Sequence, residues 1–390
     1  MLKSDTTKLK SYSSDHSTSP PIIHMPRAFN AAHDLLERNI LAGRSKKIAY
    51  IDDAGRYTYE ELIARANQSG NAFLKLGLNI EDRIMIVHSD TVDFPAVFLG
   101  AIKVGVVPIA VNTLLTPDDY EFMLEDSRAK ALIVTSSLME KLDRAISKSK
   151  YLQHIIVSGD ELSGYHNLQR LQSLASDECD PAVTSCDDSC FWLYSSGSTG
   201  APKGTIHVHS SLAHTAELYA KPVLGIKETD VVFSAAKLFF AYGLGNGLTF
   251  PLSVGATTVL MAERPTPDSV FKRLKEHQPT IFYGVPTLFG AMLASDHLPN
   301  RSEVSIRVAT SAGEALPAEI GKRWTSHFGS EILDGIGSTE MLHIFLSNRP
   351  GDCQYGSTGK PVPGYEIRLV DENGQDVPTG ELGELQIKGP

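Results

Sequence analysis

Tyr194-Ser195-Ser196-Gly197-Ser198-Thr199-Gly200-Ala201-Pro202-Lys203-Gly204 is a loop of small and hydroxylated residues closed by one lysine. Its three glycines let the backbone turn tightly and bring amide N–H groups close to an anion. Ser195, Ser196, Ser198 and Thr199 add hydroxyl donors, and Lys203 adds a positive charge. That chemistry suits a phosphate chain. A Walker-type loop requires glycine directly before its lysine and Ser or Thr directly after it, whereas Lys203 follows Pro202 and precedes Gly204, so the spacing excludes that class. Runs of Ser, Gly and Thr also make solvated linkers. Here the apolar Phe191-Trp192-Leu193 precedes the run and Ile206-His207-Val208-His209 follows it, so ordered structure is expected on both sides.

The surrounding chain has 390 residues, 42% apolar and 21% charged, enough for two or three domains with substantial cores. A formal net charge of -10, with no basic cluster against it, argues against a general affinity for nucleic acid or anionic membranes. A phosphate site must therefore be locally built. Cys179, Cys186, Cys190 and Cys353 show no paired C-x-x-C pattern, and no histidine lies among the first three to complete a zinc set, so reduced thiols of a cytoplasmic protein are expected. Neither an export signal nor an eighteen-residue apolar run is present.

Residues 1–24 are rich in Ser, Thr and Lys, end near Pro20-Pro21, and read as a disordered tail. Thr58 is placed to cap a helix whose Leu62, Ile63, Ala66, Ala72, Phe73 and Leu76 share a face, with Gly70 as a weak point inside it. Arg83 to His88 then reads as a strand, Thr91 to Gly105 as a helix, Val106 to Val111 as a strand, and Thr116-Pro117 as the start of another helix. Short β-branched or aromatic runs at 131–134, 154–157, 257–260, 280–283 and 306–309 continue the alternation, which implies an α/β fold of mostly parallel sheet. From Gly364 the pattern changes: 365–370 and 384–388, around Asn373-Gly374, read as antiparallel strands.

Ser311 to Pro317 and Asp334 to Glu340 join the opening loop in resembling, in order and spacing, three motifs of the adenylate-forming superfamily of acyl- and aryl-CoA ligases, luciferases and peptide-synthetase adenylation domains. Lys237 to Asn246 and Met341 to Asn348 are similar to the benzoate-CoA ligases and their close relatives within it. The resemblance runs from about Phe29 to Pro390. It implies the large N-terminal domain of such an enzyme: two mostly parallel sheets flanked by helices plus a partial small β subdomain. The divisions expected are 25–190 and 191–355 for two α/β subdomains, the second holding the ATP and acyl sites, and 356–390 for an incomplete β subdomain. The family's C-terminal lid domain, with its catalytic lysine, and an aspartate that grips the ribose fall beyond Pro390 in the family order, so a truncated and impaired ligase is expected.

By the same resemblance Ser195, Ser196, Gly197, Ser198, Thr199, Gly200 and Lys203 hold the phosphates of ATP, with Ser338 and Thr339 nearby, and Thr199 and Glu340 serve Mg²⁺. Gly313 and Glu314 line the adenine, with Asp334 and Gly335 as its other wall. Phe240, Ala241, Tyr242, Gly243, Tyr283, Gly284, His343 and Ile344 form the acyl pocket, whose aromatic walls beside a small residue suit a flat ring. Thr199, Lys203, Glu340 and His343 are the expected catalytic set, with His343 near the carboxylate or the α-phosphate. The implied activity joins an aromatic carboxylate to AMP and then to coenzyme A. Hydroxybenzoate and 2-aminobenzoate are the alternative acids, and a non-catalytic adenylate-binding module is the rival of another class.

Overall fold

The computed structural model describes residues 9–195 and 201–390. Two large sheets dominate it. The first has seven strands in the order Lys203–Val208, Ser189–Ser195, Val107–Ala110, Arg83–Val87, Ala131–Thr135, His154–Ser158 and His166–Asn167. Its neighbours are parallel except Ser189–Ser195 and Lys203–Val208, which form an antiparallel hairpin. The second has nine strands, in the order Lys360–Pro361, Ile344–Ser347, Glu331–Gly337, Val308–Ser311, Ile281–Gly284, Val231–Ser234, Thr257–Val259, Ile48–Ile51 and Arg56–Thr58. Six consecutive inner strands run parallel and the flanking pairs are antiparallel.

Local chemistry explains the helices that cover these sheets. Thr58 and Glu61 form a reciprocal capping box at the start of Tyr59–Lys75, and Thr116 with Asp119 does the same for Pro117–Ser127, where proline takes the first turn. The helix Asp93–Lys103 is buried along its whole length. It crosses Tyr59–Lys75 where two glycines meet: a Cβ on Gly70 would lie 2.9 Å from the Gly100 carbonyl oxygen, and one on Gly100 would lie 2.4 Å from that of Ala66. Gly70 is therefore a contact surface between helices, which single-helix propensity cannot reveal.

Two sequence expectations need correction. Residues 9–24 belong to the fold: Ser13–Asp15 and Ile22–His24 pair as a small antiparallel sheet. Tyr12 is buried, and its hydroxyl donates to Glu217 Oε1 at 2.6 Å, while His16 Nε2 meets Glu217 Oε2 at 2.6 Å. A few apolar and ionic anchors thus order a segment whose composition reads as disordered. Residues 1–8 lie outside the described residues. The division at residue 190 also fails to separate the sheets, because Ile48–Ile51 and Arg56–Thr58 join the second sheet while Ser189–Ser195 and Lys203–Val208 join the first. Hydrophobic pattern identifies strands but not which sheet they enter. The terminal strands Glu366–Val370 and Glu384–Lys388 pair antiparallel, with Ile367 opposite Ile387.

Among the described residues no helix is long and apolar enough to cross a membrane. The four cysteines are free thiols, and no group of three or more His, Cys, Asp or Glu side chains is placed to hold a metal ion among the described residues.

Candidate active site

A cavity of about 950 Å³ opens where the carboxyl ends of both sheets face each other. One side is made by Ser89, Thr113, Leu114 and Leu138, which follow strands of the first sheet. Parallel sheets place ligand-binding loops at this end. The other side comes from segments after strands of the second sheet: Ala235–Tyr242, the stretch from Ala262 to Pro267, Val285, Thr287, Leu288 and Ala291 after Ile281–Gly284, and the turns after Val308–Ser311 and Glu331–Gly337.

The loop after Val231–Ser234 supplies Phe240, Ala241 and Tyr242 to the wall. Its path is fixed by close backbone contact, since a Cβ on Gly243 would lie 1.9 Å from the Lys237 carbonyl oxygen. Gly243 therefore shapes the wall from behind. Tyr242 is anchored through its hydroxyl to Thr310 Oγ1 at 2.5 Å. Tyr283 and Gly284, expected as pocket residues, do not line the cavity. Tyr283 is fully buried, with its ring edge-on to that of Tyr242 at 6.3 Å, and the missing side chain of Gly284 makes room for Phe289.

His343 and Ile344 complete that wall. The His343 ring lies among Tyr219, Tyr242 and Phe250, with centroids 5.2, 5.5 and 4.5 Å away. Its Nε2 faces two acceptors, Tyr242 O at 3.3 Å and Asn246 Oδ1 at 3.1 Å, which places the proton on Nε2. Burial pushes its pKa down to about 3, so the ring is neutral at physiological pH. A neutral, packed imidazole forms part of the wall and cannot supply a cation. Gly245 is required beside it, because a Cβ there would lie 2.4 Å from His343 Cδ2.

Gly313, Ser338 and Thr339 line the neighbouring part of the cavity. Gly313 has φ +92°, a left-handed value that favours glycine, and nothing lies within 4 Å of the Cβ it lacks, so its face is open. Glu314 is exposed on the same turn. Asp334 is buried opposite Ser311, its Oδ1 has no hydrogen-bond partner, and burial pushes its pKa up to about 6. Gly335 is explained by packing, since a Cβ there would lie 2.8 Å from Leu346 O.

Ser196, Gly197, Ser198, Thr199 and Gly200 lie outside the described residues. Their two ends are placed: Ser195 and Lys203 sit opposite each other in the hairpin, with Lys203 exposed. Glu340 lies close by. Burial raises its pKa, but its own backbone N–H and the hydroxyls of Ser195 and Ser338 outweigh that and hold the carboxyl below its ordinary value. His207, which sequence reasoning passed over, is buried beside Thr339 and Glu340 and stacked on Phe191 at 4.9 Å; burial lowers its pKa to about 4.

The ionised groups of the cavity were also missed. Among the described residues that line it, Lys237 and Arg264 are the only charged ones, and no carboxylate joins them. Lys237 donates to Glu263 O at 2.7 Å and to Met261 O. Glu263 itself is held by Arg273 at 2.6 Å. Lys237 opened a motif already singled out, but a sequence does not show that its ammonium faces a cavity, and Arg264 carried no signal.

An α/β fold with a phosphate-type loop at a sheet end, beside an open glycine turn and an apolar cavity, defines a nucleotide-dependent enzyme class. The family model described as AMP-binding enzyme matches residues 36–390, and the chain belongs to that family. Within it, the chain is 60% identical to the benzoate–CoA ligase of Thauera aromatica over 378 residues, covering 96% of this chain and 71% of that protein. The crystal structure of a benzoate CoA ligase from Burkholderia xenovorans LB400 superposes with a TM-score of 0.88 at 57% identity, covering 93% of this chain and 72% of the other. The anthranilate CoA ligase AuaEII, solved in complex with anthranoyl-AMP, gives a TM-score of 0.91 at 38% identity, covering 94% and 70%.

Proposed function

We propose that this chain binds ATP and an aromatic carboxylate of the benzoate type, joins them as an aryl-adenylate, and passes the aryl group to the thiol of coenzyme A. The observation that carries the reading is the cavity: aromatic and small walls whose only charged lining residues, among those described, are cations. In a protein of net charge -10 that combination selects a flat apolar anion. The benzoate- and anthranilate-activating relatives agree with it.

In the first step a carboxylate oxygen attacks the α-phosphorus and pyrophosphate leaves. In the second the thiolate sulfur attacks the acyl carbon and AMP leaves. The acid is already ionised at neutral pH, so the protein supplies alignment and charge neutralisation. Phe240, Ala241, Tyr242, His343 and Ile344 orient the ring. The open face of Gly313 takes the base, with Asp334 and Gly335 as the expected other wall. Lys203 and the loop from Ser195 to Gly200 take the phosphates. The ionised Glu340, beside Ser195, offers the hard oxygen that Mg²⁺ prefers, with Thr199 as the expected second donor, and the ion would neutralise phosphate charge.

Calorimetric titration with a non-hydrolysable benzoyl-adenylate mimic, its octanoyl counterpart and AMP tests the reading. The benzoyl mimic is expected to bind most tightly. Equal affinity for both acyl mimics would remove the aryl assignment, and absence of binding to the folded protein would remove the adenylate site.

A further inference from the structure

Asp90 follows the first-sheet strand Arg83–Val87, yet it acts on a loop of the second sheet. It is 3% exposed, and both carboxylate oxygens lie 3.3 Å from the Leu238 backbone nitrogen. Among the described residues no other side chain accepts that N–H. The neighbouring Lys237 extends the connection by donating to Met261 O and Glu263 O on the next cavity-lining segment. Ala235 N donates to Tyr283 O and Ser234 Oγ to Ala236 O, which fix the start of the loop. Between these ties and Gly243 the chain presents Lys237, Phe239, Phe240, Ala241 and Tyr242 to the cavity.

A buried carboxylate is costly to keep in an apolar interior unless something specific requires it. Burial pushes Asp90 up to about 6, and the Lys237 ammonium pulls it back. The same burial lowers Lys237. Neither charge is improved by its setting, so global stability does not account for the pair. What the pair achieves is geometric: one acid holds the backbone of the ring-binding loop, and one base ties that loop to the segment carrying Arg264.

We infer that Asp90, reaching across from the first sheet, and Lys237, tying two loops of the second, form a clamp that positions the acyl-binding loop, making Asp90 a positioning residue for selection of the aromatic acid. The inference rests on the aryl-adenylate reading of the cavity. The clamp acts on the acyl wall, while the nucleotide meets Gly313, Ser338 and Thr339 on other segments.

The test compares the wild-type chain with D90A, D90N and K237M by calorimetry, using the benzoyl-adenylate mimic and AMP, beside thermal unfolding of each protein. D90A and K237M are expected to weaken the benzoyl mimic about tenfold, the size of one lost buried hydrogen bond to a charged group, and to leave AMP within about twofold. D90N keeps an acceptor for Leu238 N–H and is expected to recover most of the affinity. Failure of the wild type to bind the mimic would overturn the aryl-adenylate reading itself. Wild-type binding with unchanged affinity in D90A and K237M would overturn the clamp alone, as would equal loss of mimic and AMP. Should D90A not fold, K237M and D90N decide: unchanged mimic affinity in K237M, or loss of AMP binding in D90N, overturns the clamp.

Discussion

At the scale of single residues, two features carry measurable consequences. Gly243 lies where a methyl group would occupy the Lys237 carbonyl. G243A should therefore displace the cavity-lining loop and, on the proposed aryl-adenylate reading, weaken the benzoyl-adenylate mimic at least tenfold while leaving AMP binding nearly intact, as read by calorimetry. Asp334 is an acid whose folded pKa is raised to about 6 by burial. The folded protein thus holds this proton more tightly than the unfolded chain, whose aspartates titrate near about 4. Its contribution to stability is full at acid pH and is lost as pH rises through about 6. D334N removes that titration, so its melting temperature relative to wild type should climb between pH 4 and 7 and then level off. A flat difference across that range would show that Asp334 titrates normally.

Residue identity also sets what was legible in the sequence. Phe240, Ala241, Tyr242, His343 and Ile344 could be found because a short motif keeps them together. Ser89, Leu114 and Leu138 could not, since they reach the cavity from another sheet. Tyr283 and Gly284 fall behind the cavity lining because a strand alternates faces, and a motif on its end does not say which side chain faces the cavity.

At the scale of elements, periodicity and capping chemistry located the helices closely, as Thr58 and Thr116 illustrate. They fail where one element exists for another. Gly100 is invisible as a requirement until the helix Asp93–Lys103 is laid across Tyr59–Lys75. A methyl group there would meet the Ala66 carbonyl at 2.4 Å. G100A should therefore lower unfolding free energy by about 1–3 kcal/mol, the usual cost of overpacking, and urea denaturation would measure it. The N-terminal strands make the same point. Glu217, whose pKa falls to about 2, tips the balance for them: burial raises that pKa, but Lys221, Tyr12 and His16 outweigh it. An acid so depressed contributes stability above its ordinary value near about 4.3 and loses it only as pH falls toward about 2.

For the whole molecule, the α/β class was readable from alternation alone, but the assignment of strands to sheets was not, because pairing partners are far apart in sequence. Tyr50 pairs with Thr258, and Trp192 with Ile109. Residues 1–190 and 191–390 produced separately should each lack strands that their larger sheet needs. Neither half is expected to show cooperative unfolding alone, and mixing the halves should restore it. Independent cooperative transitions in the two halves would contradict this account of the architecture.

The early strand Ile48–Ile51 has one more consequence, which concerns synthesis on the ribosome. Its parallel neighbour, Thr257–Val259, emerges about two hundred residues later, a wait of roughly 10 to 40 seconds at ordinary translation speed. Throughout that interval Ala49, Tyr50 and Ile51, all buried in the finished fold, have no parallel neighbour to cover them. Lys46 and Lys47 before the run, and Asp52 and Asp53 after it, bracket this sticky segment with charge. Their placement is that of the charged residues which natural sequences set beside unavoidable hydrophobic strands, at a stage when the cavity does not yet exist.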